Sequence, residues 1–385
     1  MISVANVIED GRLAGPQIRI ADVAARLKAR GVRTVVVVPE QESGPFRTRL
    51  AAGSTEICTL PLHRPERRLP GLLRYLVYFP WEVLLLYRHF RMNEYSVVHC
   101  SGGAWQVKGV IAAWLCGTRV VWHLNDSSMP WFVRLSFRVL SHMADVFVVA
   151  GARVKEYYLG QFSISKPIVE IQAPVDCSIF DPKKVIASKQ LSRNKLNVVL
   201  VANINPLKGI EYFIEMAFKL NQVTKDALEY YIVGPVYESQ TSYAKKLRVI
   251  VERANLGNVH FLGPTSDVAS ILSATDIYVC SSVAEASPIA VWEAMSMARA
   301  IVSTDVGDVR RFLVNGVAGY VVPPRSSEDL AKAVGLLVAD AELRAQFGRK
   351  AREVALQNLD ITICVEKHFQ TYSSLIRSSD SVAGA

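Results

Sequence analysis

Twice along its length this chain alternates short, wholly apolar runs with segments of helical period, and that repetition restricts it to folds built on parallel sheets. In the first half ISVANVI, TVVVVP, SVVHC, RVVWHL, DVFVVA and PIVEIQ read as buried strands. Between them, IRIADVAARLKARG carries the stripe Ile20, Val23, Ala24 and Leu27, with Gly31 as its stop, and WQVKGVIAAWLCG carries a second helical pattern. The second half starts afresh with NVVLVAN and continues through EYYIVG, NVHFLG, DIYVCSS, AIVSTD and GYVVPP. Strands that alternate with helices pair in parallel through right-handed crossovers. The predicted fold class is therefore α/β with two doubly wound domains, joined by the polar, basic and weakly periodic stretch PKKVIASKQLSRNKLN.

A length of 385 residues at 50% hydrophobic and 21% charged content suffices for two cores and excludes a fibre or a disordered chain. Six cysteines (Cys58, Cys100, Cys116, Cys177, Cys280 and Cys364) lack metal-ligand spacing and read as small buried hydrophobes, which implies a reducing cytosol. The opening MISVANVIEDGR has a strand pattern, so no signal peptide is expected. The net charge of +9 gathers in HRPERRLPGLLRYLVYFPWEVLLLYRHFR. There Arg64, Arg67, Arg68, Arg74, Arg88 and Arg91 interleave with Leu72, Leu73, Leu76, Phe79, Trp81, Leu84 and Leu85. Arg74, Pro80 and Glu82 interrupt the apolar run, which falls short of the roughly 20 residues of a spanning helix. Two readings stay open: an amphipathic segment lying on an anionic membrane surface over residues 63–91, or helices packed on a sheet with a charged outer face. No nucleic-acid-binding module accompanies the charge, and nucleic acid is not an expected partner.

Open parallel sheets bind ligands beyond the carboxyl ends of their strands, so the residues after each strand carry the functional signal. After IYVCSS come Glu285 and Glu293, eight positions apart. Ser287-Pro288 places an N-cap residue before a proline at the first helical position. The free N–H groups of that helix start favour an anion such as a diphosphate. Glu293, between one and two turns inside, is placed to accept from vicinal hydroxyls. The pair equally suits compensation of the helix dipole or a solvated face. After NVVLVAN, Lys208 opens a helix with the stripe Ile210, Phe213, Ile214 and Ala217; it is a phosphate-binding candidate, or a solvated cation. The loop EDGRLAGPQIR after the first strand lacks the GxGxxG spacing of a dinucleotide site. After RVVWHL stands His123, followed by Asn125-Asp126; it reads either as a ligand contact or as a satisfied buried histidine.

Taken in order, these residues resemble family 4 of the retaining glycosyltransferases, whose architecture, GT-B, consists of two facing Rossmann-like domains with a cleft between them. The resemblance runs through the loop at Gly15, VVHCSGG, VIAAWLCGTRVVWHLND, ADVFVVAGARV, APVDCSIFDP, NINPLKGI, NVHFLG and the glutamate region through STDVGDVRRFLVNGVAGYVVPP. It implies an acceptor-binding domain over 1–183, a linker over 184–196 and a nucleotide-sugar-binding domain over 197–360. Over 361–385 it implies a helix that crosses back to the first domain through Ile363, Val365, Phe369 and Tyr372, with SSDSVAGA as a frayed tail. By resemblance Glu293 holds the ribose hydroxyls, Glu285 faces the transferred sugar and Lys208 neutralises the departing diphosphate. The backbone of Ala286, Ser287, Pro288, Ile289 and Ala290 contacts donor sugar and phosphate. Gly234, Leu262 and Asn203 join the donor-binding set, Gly15 lets its loop approach the phosphate, and His123 contacts the donor sugar.

The implied reaction moves a sugar from a UDP- or GDP-linked donor to a saccharide or lipid-linked saccharide, with retained configuration, no metal and no cofactor. It would take place in the cytoplasm or on the inner face of the cytoplasmic membrane, in surface polysaccharide or glycoconjugate synthesis. Three positions depart from the family pattern: Asn203 stands where a second phosphate-binding arginine is usual, Ala286 replaces a glycine, and Ala298-Arg299-Ala300 replaces glycine–basic–proline. Two other classes fit the same plan, a nucleotide-sugar epimerase and a non-catalytic nucleotide-sugar-binding subunit.

Overall fold

The structure, a computed structural model, describes residues 1–65, 69–126, 128–224 and 227–383, with the side chains of residues 378–383 left aside. Arg67 and Arg68 of the basic segment, and the final Gly384 and Ala385, lie outside the described residues. The chain divides into two compact units, Met1–Ala173 with Ile361–Ala385, and Pro174–Asp360.

Unit 1 holds strands β1 (Ile2–Val7), β2 (Val32–Pro39), β3 (Glu56–Leu60), β4 (Val97–Cys100), β5 (Arg119–Leu124), β6 (Val146–Val149) and β7 (Ile168–Glu170). They form one parallel sheet in the order β3-β2-β1-β4-β5-β6-β7. Its helices are α1 (Gly15–Leu27), α2 (Gly44–Ala52), α3 (Leu69–Asn93), α4 (Lys108–Leu115), α5 (Trp131–Leu140) and α6 (Ala152–Leu159). Covered on both faces, the central strands carry runs with no alternation: Val35, Val36, Val37 and Val38 are all buried. β3 escaped the pattern because it is an edge strand: Glu56 and Thr59 are exposed and no residue of EICTL is fully buried, so it carries no apolar run.

Unit 2 holds β8 (Leu196–Val201), β9 (Leu228–Val233), β10 (Val259–Gly263), β11 (Ile277–Cys280), β12 (Ala300–Thr304) and β13 (Tyr320–Val322). These form a parallel sheet in the order β10-β9-β8-β11-β12-β13. Its helices are α7 (Ile210–Thr224), α8 (Thr241–Arg253), α9 (Val268–Ser273), α10 (Ile289–Ser296), α11 (Val309–Phe312), α12 (Ser327–Ala339) and α13 (Ala341–Asn358). Residues 184–196, read as a linker, pack on this unit. Leu191 is buried against Val199 and Tyr231, and the Ser192 N–H donates to the Tyr231 hydroxyl at 3.0 Å. The unit's two ends lie together: Val175 N–H donates to the Leu359 carbonyl at 2.9 Å, and the Asp360 carboxylate accepts from Cys177 N–H at 3.2 Å.

The last helix, α14 (Ile361–Ala383), completes the core of unit 1. Ile361, Cys364, Val365, Tyr372 and Leu375 are buried among Val4, Val23, Leu27, Val97 and Val121. Ile363 is only half-buried, and the helix continues to Ala383, into the stretch read as a frayed tail. All six cysteines are free thiols, four of them buried.

α3 runs unbroken through Pro80 for 25 residues and is long and apolar enough by length and composition to cross a bilayer, contrary to the shorter run expected from sequence. It nevertheless buries Tyr75, Val83, Leu86 and Phe90 within unit 1. Its buried Glu82 accepts from the Lys108 ammonium at 2.6 Å and pairs with the His63 ring. Glu9 lies 3.3 Å from the same ammonium, which also sits 3.8 Å from the centre of the Tyr75 ring. Breaking such a buried pair on one side is costly, so the cluster fixes how α3 lies. Because unit 1 is closed by α14, ending the chain after Asp360 should abolish the unfolding transition of unit 1 and preserve that of unit 2. Calorimetry with limited proteolysis checks this; two intact transitions would refute it.

Candidate functional site

Each sheet has one point where strand order reverses, between β1 and β4 in unit 1 and between β8 and β11 in unit 2. Loops leaving adjacent strands there diverge, and the space beyond them is where open α/β sheets take ligands.

In unit 2 the loop after β8 ends in a short 3₁₀ turn, Pro206–Lys208, capped by the Asn205 side chain accepting from Leu207 N–H at 2.9 Å. Gly209 then turns left-handed at φ 56°, and α7 begins. The loop after β11 is bound to this turn. Val283 N–H donates to the Leu207 carbonyl at 2.8 Å, and the Ser281 hydroxyl donates to the Lys208 carbonyl at 3.0 Å. A Cβ on Gly209 would overlap the Ser281 carbonyl oxygen, so glycine is required by both backbone and space. The stitching brings Lys208 Nζ onto Glu285 Oε1 as an ion pair, with the Ser282 hydroxyl donating to the same oxygen at 2.9 Å. Both side chains are mostly covered, with 22% and 15% of their surfaces exposed. Two residues read from sequence as gripping separate parts of a ligand therefore hold each other.

Glu293 is the fifth residue of α10 and half-buried. The start of this helix differs from the expectation. It begins at Ile289 with Pro288 at the cap position, so Ser287 stands one residue before the cap and Pro288 is not the first helical residue. The Ser287 hydroxyl accepts from the Trp292 indole N–H at 3.1 Å, which ties the loop to the helix by its side chain. Ala286 packs its carbonyl on Gly307, which is left-handed at φ 50°. Ala290 is the second residue of the helix.

Gly234, at the end of β9, has φ 147° and no room for a Cβ beside the Ala202 carbonyl. Its N–H donates to the Gly263 carbonyl at 2.9 Å, which aligns the ends of β9 and β10 near Leu262. Asn203 accepts from the Asn205 side-chain amide at 3.0 Å, so the residue at the usual arginine position is engaged within its own loop. A separate cavity of about 790 Å³, lined by Arg193, Lys195, Asn197 and Arg299, opens at the opposite edge, where β8 and β11 begin. It is remote from these residues and lies at the wrong end of the strands for a switch-point ligand.

In unit 1 the loops after β1 and β4 meet in the same manner. Glu9 N–H donates to the Gln106 side-chain oxygen at 2.6 Å, and the Ser101 hydroxyl donates to Asn6 at 3.1 Å. Gly102 and Gly103 are left-handed, and the Asp126 carboxylate fills the space where a Gly103 Cβ would stand. Asp126 accepts from Ala104 N–H at 2.6 Å and from the Tyr158 hydroxyl at 3.0 Å, and burial raises its pKa. This Gly-Gly loop was the available signal for Asp126, whose part in shaping the site was not read from sequence. Gly15 is the first residue of α1 and is not left-handed. It therefore contributes only its missing side chain.

His123 is wholly buried at the end of β5. Its ring stacks on His99 and His368, with centroids 5.3 Å and 6.2 Å apart. The buried Arg19 guanidinium lies against its Nε2. Arginine can only donate, so that nitrogen accepts; the Nδ1–H then donates to His99 Nε2 at 3.2 Å, and the His99 Nδ1–H to the Tyr372 hydroxyl at 2.6 Å. The chain Arg19–His123–His99–Tyr372 thus fixes one tautomer of each ring. The ring nitrogens of His99, His123 and His368 lie within 4.8 Å of one another, a spacing that could hold a metal ion. The Arg19 charge opposes a cation there, and its donor occupies the His123 nitrogen that would coordinate one. Burial, with Arg19 nearby, holds His99 and His123 well below the usual 6.5 and brings His368 down to about 4.

Two doubly wound units, one of which sets a lysine and two carboxylates beyond its switch point, define a two-domain α/β protein suited to an anionic ligand that bears hydroxyl groups. Residues 14–179 match Glycosyltransferase Family 4 and residues 182–354 match Glycosyl transferases group 1, so the chain belongs to the family 4 glycosyltransferases. One relative is the N,N'-diacetylbacillosaminyl-diphospho-undecaprenol alpha-1,3-N-acetylgalactosaminyltransferase of Campylobacter jejuni, 30% identical over 197 residues, which are 51% of this chain and 50% of that protein. The chain thus spans about half the length of that relative. Another is the UDP-Gal:alpha-D-GlcNAc-diphosphoundecaprenol alpha-1,3-galactosyltransferase of Escherichia coli, 22% identical over 325 residues, 76% of this chain and 79% of that protein. Among solved structures, HepE of Anabaena in complex with UDP and glucose superposes with a TM-score of 0.82 at 20% identity, covering 97% of this chain and 100% of that one. A glycosyltransferase from Rickettsia africae gives 0.83 at 16% identity, covering 97% and 98%. The fold is GT-B.

Two outcomes follow from this geometry. Gly316 is left-handed with open space around it, whereas Gly209 is left-handed against the Ser281 carbonyl. Gly316→Ala should cost about 1–2 kcal/mol for the backbone alone, and Gly209→Ala more, with weakened ligand binding; equal denaturation midpoints would refute the contact. The second concerns pH. Unfolded histidines take up protons near 6.5 and the buried ones do not, so the unfolded state binds more protons between about 6.5 and 4. Their contribution to stability is complete above pH 6.5 and is lost as the pH falls toward 4, at up to ~1.4 kcal/mol per pH unit for each histidine. Unfolding of unit 1 followed across this range checks the slope, which His368→Asn should flatten.

Proposed function

We propose that this chain is a retaining, metal-independent glycosyltransferase that moves a sugar from a nucleotide-sugar donor to a lipid-linked saccharide at the cytoplasmic face of the membrane. The observation that carries the reading is the Lys208–Glu285 pair at the switch point of unit 2, with Glu293 one helix turn beyond. The acceptor class is supported by the two relatives, each named for transfer to a saccharide on a diphospho-undecaprenol carrier. The donor class is supported by the E. coli relative, named for UDP-Gal, and by the match to both families.

Without a donor, Lys208 and Glu285 neutralise each other. An arriving diphosphate offers the ammonium a stronger partner, a charge-assisted contact to more than one anionic oxygen. As Lys208 turns to the diphosphate, the carboxylate of Glu285 is released toward the sugar hydroxyls. When the glycosidic bond to phosphate breaks, negative charge grows on the departing diphosphate and positive charge on the anomeric carbon. Lys208 stabilises the first, Glu285 orients the sugar carrying the second, and Glu293 holds the ribose. With Asn203 in place of the usual arginine, this lysine bears a larger share of the leaving-group charge.

Lys208→Ala should therefore lower turnover by about 10²–10³-fold and leave the unfolding midpoint little changed, while Glu293→Ala should abolish binding of UDP- or GDP-sugars in calorimetry. Near-normal turnover of Lys208→Ala with a lipid-linked acceptor would remove the assigned role. Donor binding without transfer to any such acceptor would replace a transferase with a binding subunit.

A further inference from the structure

We propose that unit 1 docks on an anionic lipid surface through one face formed jointly by α3, α4 and α5. This extends the lipid-linked acceptor reading above and rests on it for its purpose, whereas the face itself is defined by exposed side chains of unit 1 alone. The three helices make the crossovers from β3 to β4, β4 to β5 and β5 to β6, all in one direction across the sheet, whereas α1 and α2 return in the other. Right-handed crossovers then place α3, α4 and α5 together on one side. Contacts agree: Trp105, just before α4, meets Phe132 of α5 edge-on at 5.8 Å, and α3 packs along α4.

A helix covering a sheet ordinarily turns charge outward; these turn out bulk hydrophobes. On α3, Leu73, Leu76, Val77 and Trp81 follow helical spacing along the side opposite the buried Tyr75, Val83, Leu86 and Phe90, and are 51–73% exposed. On α5, Trp131, Leu135 and Val139 recur every fourth residue at 56–71% exposure, while Val133 and Phe137 face inward. Trp114 and Leu115 at the end of α4 are exposed as well.

Charge decides the occupant. The three helices contain one acidic residue, Glu82, and it is buried against Lys108. Their exposed charges are Arg74, Arg88, Arg91, Arg134 and Arg138. A face of aliphatic side chains, tryptophans and arginines without an exposed carboxylate matches a lipid interface, where rings settle at headgroup depth and guanidinium groups reach anionic phosphates. Arg64, by contrast, is engaged by Asp10 and Glu42, so the basic segment read over 63–91 does not act as a whole. The burial of Glu82 and the packed inner side of α3 make the helix lie along the surface rather than cross it. The contribution of α5 was not visible in the amphipathic stretch that sequence singled out.

The test is co-sedimentation of the full chain with phosphatidylcholine vesicles, with and without phosphatidylglycerol, at low salt and without any acceptor lipid. The expected result is binding that requires the anionic lipid, falls at least tenfold in Leu76→Glu/Trp131→Glu and in Arg134→Glu/Arg138→Glu, and is unchanged in Val223→Glu, an exposed substitution on α7. Donor binding by each variant, measured by calorimetry, shows that the fold is kept. Failure of the wild-type chain to bind anionic vesicles, or equal binding by the Leu76→Glu/Trp131→Glu variant, overturns the proposal. So does a stable dimer in solution that the same variant dissociates, since a second copy would then cover the face. No vesicle binding by the wild-type chain, with its donor binding and transfer intact, rejects only the docking face; vesicle binding by the wild-type chain with no donor binding rejects only the transferase reading.

Discussion

The candidate site of unit 2 depends on a seam between two loops. Where β8 and β11 lie side by side and their chains leave in opposite directions, the backbone of one loop is hydrogen-bonded to that of the other through Leu207 and Val283. The seam can close only because residue 209 has no side chain. Once closed, it delivers a lysine and a glutamate to one point without either being on a long flexible loop. Catalytic groups held on rigid backbone need little reorganisation when charge develops, which is the main source of electrostatic catalysis.

The Lys208–Glu285 pair also explains how such a site survives empty. A lysine near a helix start, facing the positive end of the dipole, is poorly placed unless an anion is present. Glu285 supplies that anion internally. In the proposed reaction a ligand must displace this carboxylate to reach the ammonium, and a diphosphate is the anion suited to do so. In unit 1 the same logic appears with neutral partners: Arg19 is the one fixed donor, and the orientation of two imidazoles follows from it.

Much of this was legible in the amino-acid sequence. Every apolar run named as a strand is one, because parallel strands buried on both faces leave continuous hydrophobic runs. β3 was not legible, since an edge strand carries no such run. Lys208, Glu285 and Glu293 could be named from their places after strands, but the ion pair joins residues 77 positions apart and needed the sheet order to appear. The helix start was misplaced by one residue: Pro288, expected as the first helical position, is the cap, and the Ser287 hydroxyl accepts from the Trp292 indole. Nothing in the sequence singled out Arg19; only the packing of β5 and α14 around it makes it the anchor of a histidine relay.

The discontinuity of unit 1 has a consequence for how the molecule is made. Its sheet is encoded before residue 174, yet part of its core is supplied by α14, after all of unit 2. On a ribosome, unit 2 can complete itself while the earlier sheet still lacks a wall, with Val4, Val97 and Val121 waiting for Val365 and Tyr372. Contacts of such long sequence separation form slowly and leave apolar surface exposed in the meantime. The order of synthesis makes unit 1 the last part of the molecule to become native and the part most exposed to misassembly in a nascent chain.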